Sequence, residues 1–275
     1  MQASLLNVGP WLGVAMGALV LVAAVVAVVG HLGQGRRILV AAIRAVVQLG
    51  LVSLVITAIL GSLPLTAVFV LAMYTIATWT AGRRATRHRS GWWAALPIVA
   101  GTAPVIVALL ATGLLPPKAI AVIPVSGILI GGAMTATAQA ARRALDELRD
   151  RHGEYEAGLS IGMMPRDAGL EVCRPSASQA LIPALDQTRT VGLVTLPGAF
   201  VGMLMAGAHP LDAGATQLFV LVGLLAVEVV AVVVALELVV RGRIVPVTED
   251  AAVVPTERGS WLSRLRRRVD RTRRP

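Results

Sequence analysis

Cysteine, aromatic side chains and charge are all scarce in this chain. A single cysteine, Cys173, stands among 275 residues, which excludes an intrachain disulfide and a cysteine-rich metal site. Aromatic residues make up 4% and charged residues 15%, against roughly 25% charged in soluble domains. With 56% hydrophobic residues and a mean hydropathy of +0.76, the composition excludes a soluble enzyme, a disordered chain and an ordinary nucleic-acid-binding domain. It points to an integral membrane protein. Enzymatic patterns are missing too. The four histidines, His31, His88, His152 and His209, are scattered, with no HExxH spacing, and no Gly-Lys-Ser/Thr follows Gly131-Gly132. No catalytic residue and no cofactor is expected, and if transport is driven by ATP, a partner must hydrolyse it.

Long apolar runs are what the chain does have. A helix needs about 20 mostly apolar residues to cross a hydrocarbon core. Seven stretches qualify: 11–30, 39–60, 64–81, 94–115, 118–140, 190–207 and 214–240. The first lacks the basic start of a signal peptide and exceeds the length of its apolar core, so it reads as a retained span. The expected fold is all-α, with about seven transmembrane helices in residues 1–240 and a basic tail over 241–275.

Charge orients these spans. Alternate connections (31–38, 82–93, 141–189 and the tail) hold 23 of the 24 arginines, and Arg44 lies near the same face of the second span. The opposite set holds only Lys118. Cytoplasmic loops carry the Lys/Arg excess, so the N-terminus is expected outside and the C-terminus in the cytoplasm. The net charge of +10 is then topological and calls for no nucleic acid.

The outer connections are short, and the one long connection, 141–189, is cytoplasmic. It begins as an extension of the fifth span through Arg149 and holds a second helical stretch from Glu154 to Met163. Pro165 suits a first helical turn, Asp167 and Glu171 favour that N-terminus, and Pro175 reads as breaking or restarting the helix. With few large apolar residues this loop builds no core of its own. It reads either as short helices offered to a partner or as a solvated connector. In the tail, Trp261, Leu262, Leu265 and Val269 recur at helical spacing among arginines, as in a helix lying on membrane lipid; a disordered basic tail is the other reading.

Ionisable residues at membrane depth are costly and face a protein interior or a cavity. Glu228 is the deep one. Glu237, nine residues on, falls on the opposite helix face and reads as an interfacial charge. Arg44 and Gln48 share one face. Gly127, Gly131 and Gly132 allow close helix packing. Met134 offers a soft sulfur, though methionine is also a core filler.

Several strings are more specific: Arg44 to Leu49 (RAVVQL), Val122 to Gly127 (VIPVSG), Gly131-Gly132-Ala133-Met134, Leu181 to Asp186 (LIPALD) and Thr190 to Gly198 (TVGLVTLPG). Over roughly residues 35–240 the chain resembles the FetB (YbbM-like) family of ABC-type permeases, implicated in iron export and metal resistance. The resemblance implies a membrane subunit paired with a separate cytoplasmic ABC ATPase, two permease copies with two ATPases. It also implies that the segment around Glu156, Gly162 and Pro165 docks on the ATPase. The chain departs from the family at Gly132 (often Asn), Arg189 (usually Lys), Met163-Met164 (Ala-Thr) and Thr216 (commonly Tyr).

The reading is therefore an exporter subunit moving iron or another metal ion. Arg44, Gln48, Met134 and Glu228 are candidates for the pathway. Pro124, Pro183, Gly192, Pro197 and Gly198 are candidates for the kinks that alternating access needs. Three rivals stay open: an ABC exporter of a non-metal solute such as a nucleotide sugar, a non-transporting scaffold, and a secondary transporter. The last needs an inverted repeat that the chain does not display.

Overall fold

A computed structural model describes residues 9–59 and 61–246. The protein is an all-α integral membrane protein. Among the described residues six helical segments are long and apolar enough to cross a membrane: Pro10–Val29, Gly35–Thr57, Leu63–Ala85, Arg89–Ala111, Ala119–Asp150 and Pro210–Val240. The contacts divide the chain at Leu63/Pro64 into two units.

The first unit is a helical hairpin of α1 (Pro10–Val29) and α2 (Gly35–Ile59). Pro10 occupies the first turn of α1, where its missing N–H costs nothing. The turn is tight: a Cβ on Gly35 would lie 2.7 Å from Val28 Cγ2. Small residues, Ala24 and Ala27, form the buried contact of α1. Between Arg36 and Thr57 no side chain of α2 is buried, so this helix presents apolar surface almost all round.

The second unit contains α3 (Leu63–Ala85), α4 (Ala95–Ala111), α5 (Ala119–Asp150) and α10 (Pro210–Val240), with six shorter elements between them. Small residues let the long helices touch. A Cβ on Gly101 of α4 would lie 2.6 Å from the Val227 carbonyl, and Gly223 faces Val105, so α4 and α10 run antiparallel. Gly223 also faces Leu129 of α5, and Gly132 faces Leu224 and Glu228. Further on, Ala136 to Leu148 share a buried cluster with Val232 to Val239. α5 and α10 are thus parallel.

Two parallel neighbours require a return crossing, and that return is where the expected sixth span proves different. Residues 190–207 do not form one helix. α8 (Ile182–Thr190) stops, the chain unwinds over 191–197, and α9 (Gly198–Met205) restarts it. Both short helices pack on α10. At about 12 Å, eight residues of α9 cannot span a bilayer alone. The cause is local. Gly192 takes φ +82°, and Pro197, the N-cap of α9, supplies no N–H donor. The backbone closes on itself instead: the N–H groups of Leu193, Val194 and Thr195 all donate to the Thr190 carbonyl, and Gly192 donates to Thr195.

Beyond the apolar stretch α5 continues to Asp150, as its charged end suggests. Two helices follow, α6 (His152–Ser160) and α7 (Pro165–Ser178). The expected break at Pro175 is absent, and α7 runs through it. Packing holds both sides: Ala168, Cys173 and Ala177 are fully buried against the α5–α10 pair. The expected interfacial helix at Trp261 to Val269 lies outside the described residues.

Candidate functional site

Two places in the second unit carry polar chemistry. The first is the α6–α7 hairpin. Gly162 ends α6 with φ +92°. Its N–H donates to the Leu159 carbonyl (3.0 Å) while Met163 N–H donates to Gly158 (3.1 Å), the paired bonds of a glycine-terminated helix end. Met164 caps α7 and Pro165 opens its first turn. The reversal leaves Ile161 81% and Met164 66% exposed, two apolar side chains at the tip of an otherwise polar hairpin. Glu156 is exposed on α6, 3.6 Å from His152 Nδ1.

The hairpin's other side is clamped. Arg166 holds Glu237 at the end of α10 by two bonds, Nε to Oε1 at 2.6 Å and Nη2 to Oε2 at 3.1 Å. Arg241 donates to the same carboxylate at 2.6 Å. Glu237 raises the affinity of Arg166 for its proton, as a bidentate carboxylate does. Gly169 brings α7 against Val240, and the Cys173 thiol donates to the Ala144 carbonyl of α5 (3.4 Å). Burial pushes that thiol up to about 12. Arg151, beside Glu154 and Glu147, joins α5 to α6 and holds the Glu154 carboxyl below its usual range. The hairpin is thus tied to the ends of both α5 and α10.

The second place is the seam between α5 and α10 at bilayer depth. Glu228 is 8% exposed. No hydrogen bond or ion pair among the described residues reaches its carboxyl. Gly132 makes the room for it, since a Cβ there would stand 2.7 Å from Glu228 Oε1. Three further buried side-chain oxygens lack a partner: Ser126 Oγ and Thr137 Oγ1 on α5, and Gln217 Oε1 on α10. At about 100° per residue Gln217 shares the face of Glu228 on α10, about 16 Å before it, whereas Ser126 and Thr137 lie about 120–140° around α5 from Gly132 and so face away from Glu228. Buried polar atoms are ordinarily satisfied, so this series is unusual. Gln217 also borders a cleft of about 180 Å³ between α10 and the unwound segment, where Val191, Gly192, Leu196 and Pro197 form the other wall.

The other residues singled out in the sequence fall as follows. Met134 is about 200° around α5 from Gly132 and packs on the apolar cluster of Ala77, Ile98 and Leu129. Arg44 and Gln48 are exposed on α2 of the first unit. Pro124 lies inside α5, and Pro183 sits in the first turn of α8. Gly192, Pro197 and Gly198 all belong to the unwound stretch or its restart. Sequence reading missed the Arg166–Glu237 pair, whose members are 71 positions apart, and the unpartnered state of Ser126, Thr137 and Gln217. Among the described residues no group of three or more His, Cys, Asp or Glu is placed to hold a metal ion.

Comparison with known proteins agrees with this architecture. The chain is 35% identical over 212 residues to the UPF0014 membrane protein STAR2 of Oryza sativa subsp. japonica, covering 76% of this chain and 74% of that one. It is 38% identical over 153 residues to Protein ALUMINUM SENSITIVE 3 of Arabidopsis thaliana, 55% of this chain and 56% of that one. It is 29% identical over 226 residues to the Probable iron export permease protein FetB of Escherichia coli strain K12, 81% of this chain and 87% of that one. No solved structure matches it. The family described as Uncharacterised protein family (UPF0014) matches residues 11–244, and the chain, a multi-span protein of the inner-membrane type, belongs to it.

Proposed function

We propose that this chain is the permease subunit of an ABC-type exporter, working as a pair of copies with a separate cytoplasmic ATPase and moving iron or another metal ion outward. The N-terminus lies outside and the α6–α7 hairpin in the cytoplasm. The observation that carries the reading is the hairpin itself: an exposed apolar tip, Ile161 and Met164, on a body clamped to α5 and α10. Such a tip fits a hydrophobic groove on a partner. Glu156, Gly162 and Pro165 shape it. ATP binding at the partner moves the tip, and the clamp carries that motion to the seam around Glu228. The unwound segment beside α10 provides the flexible element, with Gly192, Pro197 and Gly198 as its hinges; Pro124 and Pro183 mark two further points of bending. Arg44 and Gln48 on α2, and Met134 on α5, are candidates for the remainder of the path. FetB's name supports iron as cargo, and the aluminium in a plant relative's name supports a metal more broadly.

Affinity purification of the tagged protein in mild detergent tests this. The parent is expected to retain an ABC ATPase, and the Ile161→Glu/Met164→Glu variant to insert normally but lose it. Absence of any ATPase from the parent under several gentle conditions would turn the reading toward a scaffold. A second reading, export of a non-metal solute such as a nucleotide sugar, draws support from the lack of a His, Cys, Asp or Glu cluster among the described residues. Accumulation of metal against sugar nucleotide in a deletion strain separates the two.

A further inference from the structure

All 15 acidic residues of the chain lie after Leu145. The connection from α3 to α4 nevertheless gathers Arg83, Arg84, Arg87 and Arg89. Among the described residues none of the four has a carboxylate partner. Other arginines are matched: Arg142 with Asp146, Arg151 with Glu147 and Glu154, Arg189 with Asp186, and both Arg166 and Arg241 with Glu237.

These unmatched arginines surround a shaped site. A cleft of about 190 Å³ is lined by Arg83, Arg87 and Arg89 together with Trp79 and Trp92. The Arg83 guanidinium lies 5.5 Å from the Trp79 ring centre, a cation–π distance. Both indoles are largely exposed at the end of a membrane-spanning helix, the level at which tryptophan collects. The connection is held in place. The Gly82 and Gly91 backbones meet so closely that a Cβ on Gly82 would overlap the Gly91 carbonyl. The Thr86 hydroxyl donates to the Val245 carbonyl (2.8 Å), and Val245 N–H donates to Ser90 Oγ (3.1 Å).

We propose that this cleft binds the phosphate of an anionic phospholipid headgroup from the arginine-rich side of the membrane. Guanidinium forks match phosphate oxygens in pairs, and the cluster has no internal counter-charge. Free phosphate offers the same oxygens but leaves two exposed indoles uncovered, whereas a lipid's glycerol and acyl segments cover them. The inference rests on the membrane-spanning fold and not on the ABC reading.

Native mass spectrometry of the full-length protein in neutral detergent tests it, with phosphatidylglycerol, phosphatidylcholine and inorganic phosphate as probes. The parent is expected to retain phosphatidylglycerol preferentially. Arg83→Gln/Arg87→Gln/Arg89→Gln is expected to lower that preference at least about tenfold, given the contribution of each basic residue near an anionic leaflet. The tail variant Arg266→Gln/Arg267→Gln/Arg268→Gln is expected to keep it. Because fewer arginines also disturb insertion, the triple lysine variant at 83, 87 and 89 serves as a second measure; it inserts, and its preference falls between the other two. Equal retention of both lipids by the parent, a lysine variant equal to the parent, loss of the preference in the tail variant, or displacement of phosphatidylglycerol by inorganic phosphate would each overturn the assignment.

Discussion

The two ends of the α5–α10 pair are built on opposite principles. At the C-terminal end, where α6 and α7 dock, charge meets counter-charge: Glu237 takes two arginines, and Arg151 takes two glutamates. At bilayer depth the same two helices leave Ser126, Thr137, Gln217 and Glu228 without partners. An unsatisfied polar atom is tolerable where water reaches it and costly where lipid surrounds it. The chain thus satisfies its polar groups where water is plentiful and leaves them open where it is scarce. The paired end is suited to transmit force. The open end is suited to receive something polar.

The largest break in this contrast comes from filling the open end. Gly132→Leu drives a side chain into the space of Glu228 and Leu224. It is expected to abolish ATP-driven transport into inverted vesicles and to cost about 1–3 kcal/mol from overpacking, read as a lower melting temperature. Glu228→Gln is subtler, since the shape is kept and only the charge is removed. Transport is expected to fall about tenfold or more, with thermal stability held or raised because a buried carboxylate no longer needs a partner. Transport equal to the parent's would remove Glu228 from the path.

The next prediction acts at the paired end. Gly162→Val meets no atoms, but its φ of +92° strains any L side chain by about 1–2 kcal/mol. The substitution is expected to leave the spans folded and to reduce stimulation of the partner ATPase. The smallest disturbance is chemical. With its pKa pushed up to about 12, Cys173 stays a neutral thiol throughout the physiological range and ionises only in strong alkali. At pH 7.5 it is expected to react with a maleimide roughly a thousandfold more slowly than a free thiol. Rapid labelling of the folded protein would show that the α5–α7 contact opens readily.

Much of this arrangement is readable from residue order, and the remainder is missing for definite reasons. Hydropathy locates all six of the long helices, because their apolar runs depend on local composition. It also counts 190–207 as a span, because it measures apolar length and not backbone continuity; Gly192 and Pro197 were the visible signs that the helix breaks there. Pro175 misleads in the other direction, since buried contacts on both sides of α7 outweigh one lost hydrogen bond. Glu237 reads as an interfacial charge until folding brings Arg166 to it across 71 positions. Glu228 is conspicuous in the sequence, but only the packing of α5 shows that its neighbour is a glycine and that no cation answers it. The Arg83–Arg89 connection is legible as a topological signal, and its cleft becomes visible once Gly82 meets Gly91.

The central claim is that force on the α6–α7 hairpin opens the polar seam between α5 and α10. Its most direct test is the water accessibility of Gln217→Cys, on the Glu228 face of α10, in a Cys173→Ala background, probed by a membrane-impermeant thiol reagent with the ATPase bound, with and without ATP. The account predicts labelling that changes at least about threefold with nucleotide and is unresponsive when Gly162→Val is added. A cysteine at 217 that stays unlabelled in both nucleotide states would mean that the seam remains dry, and would contradict the claim.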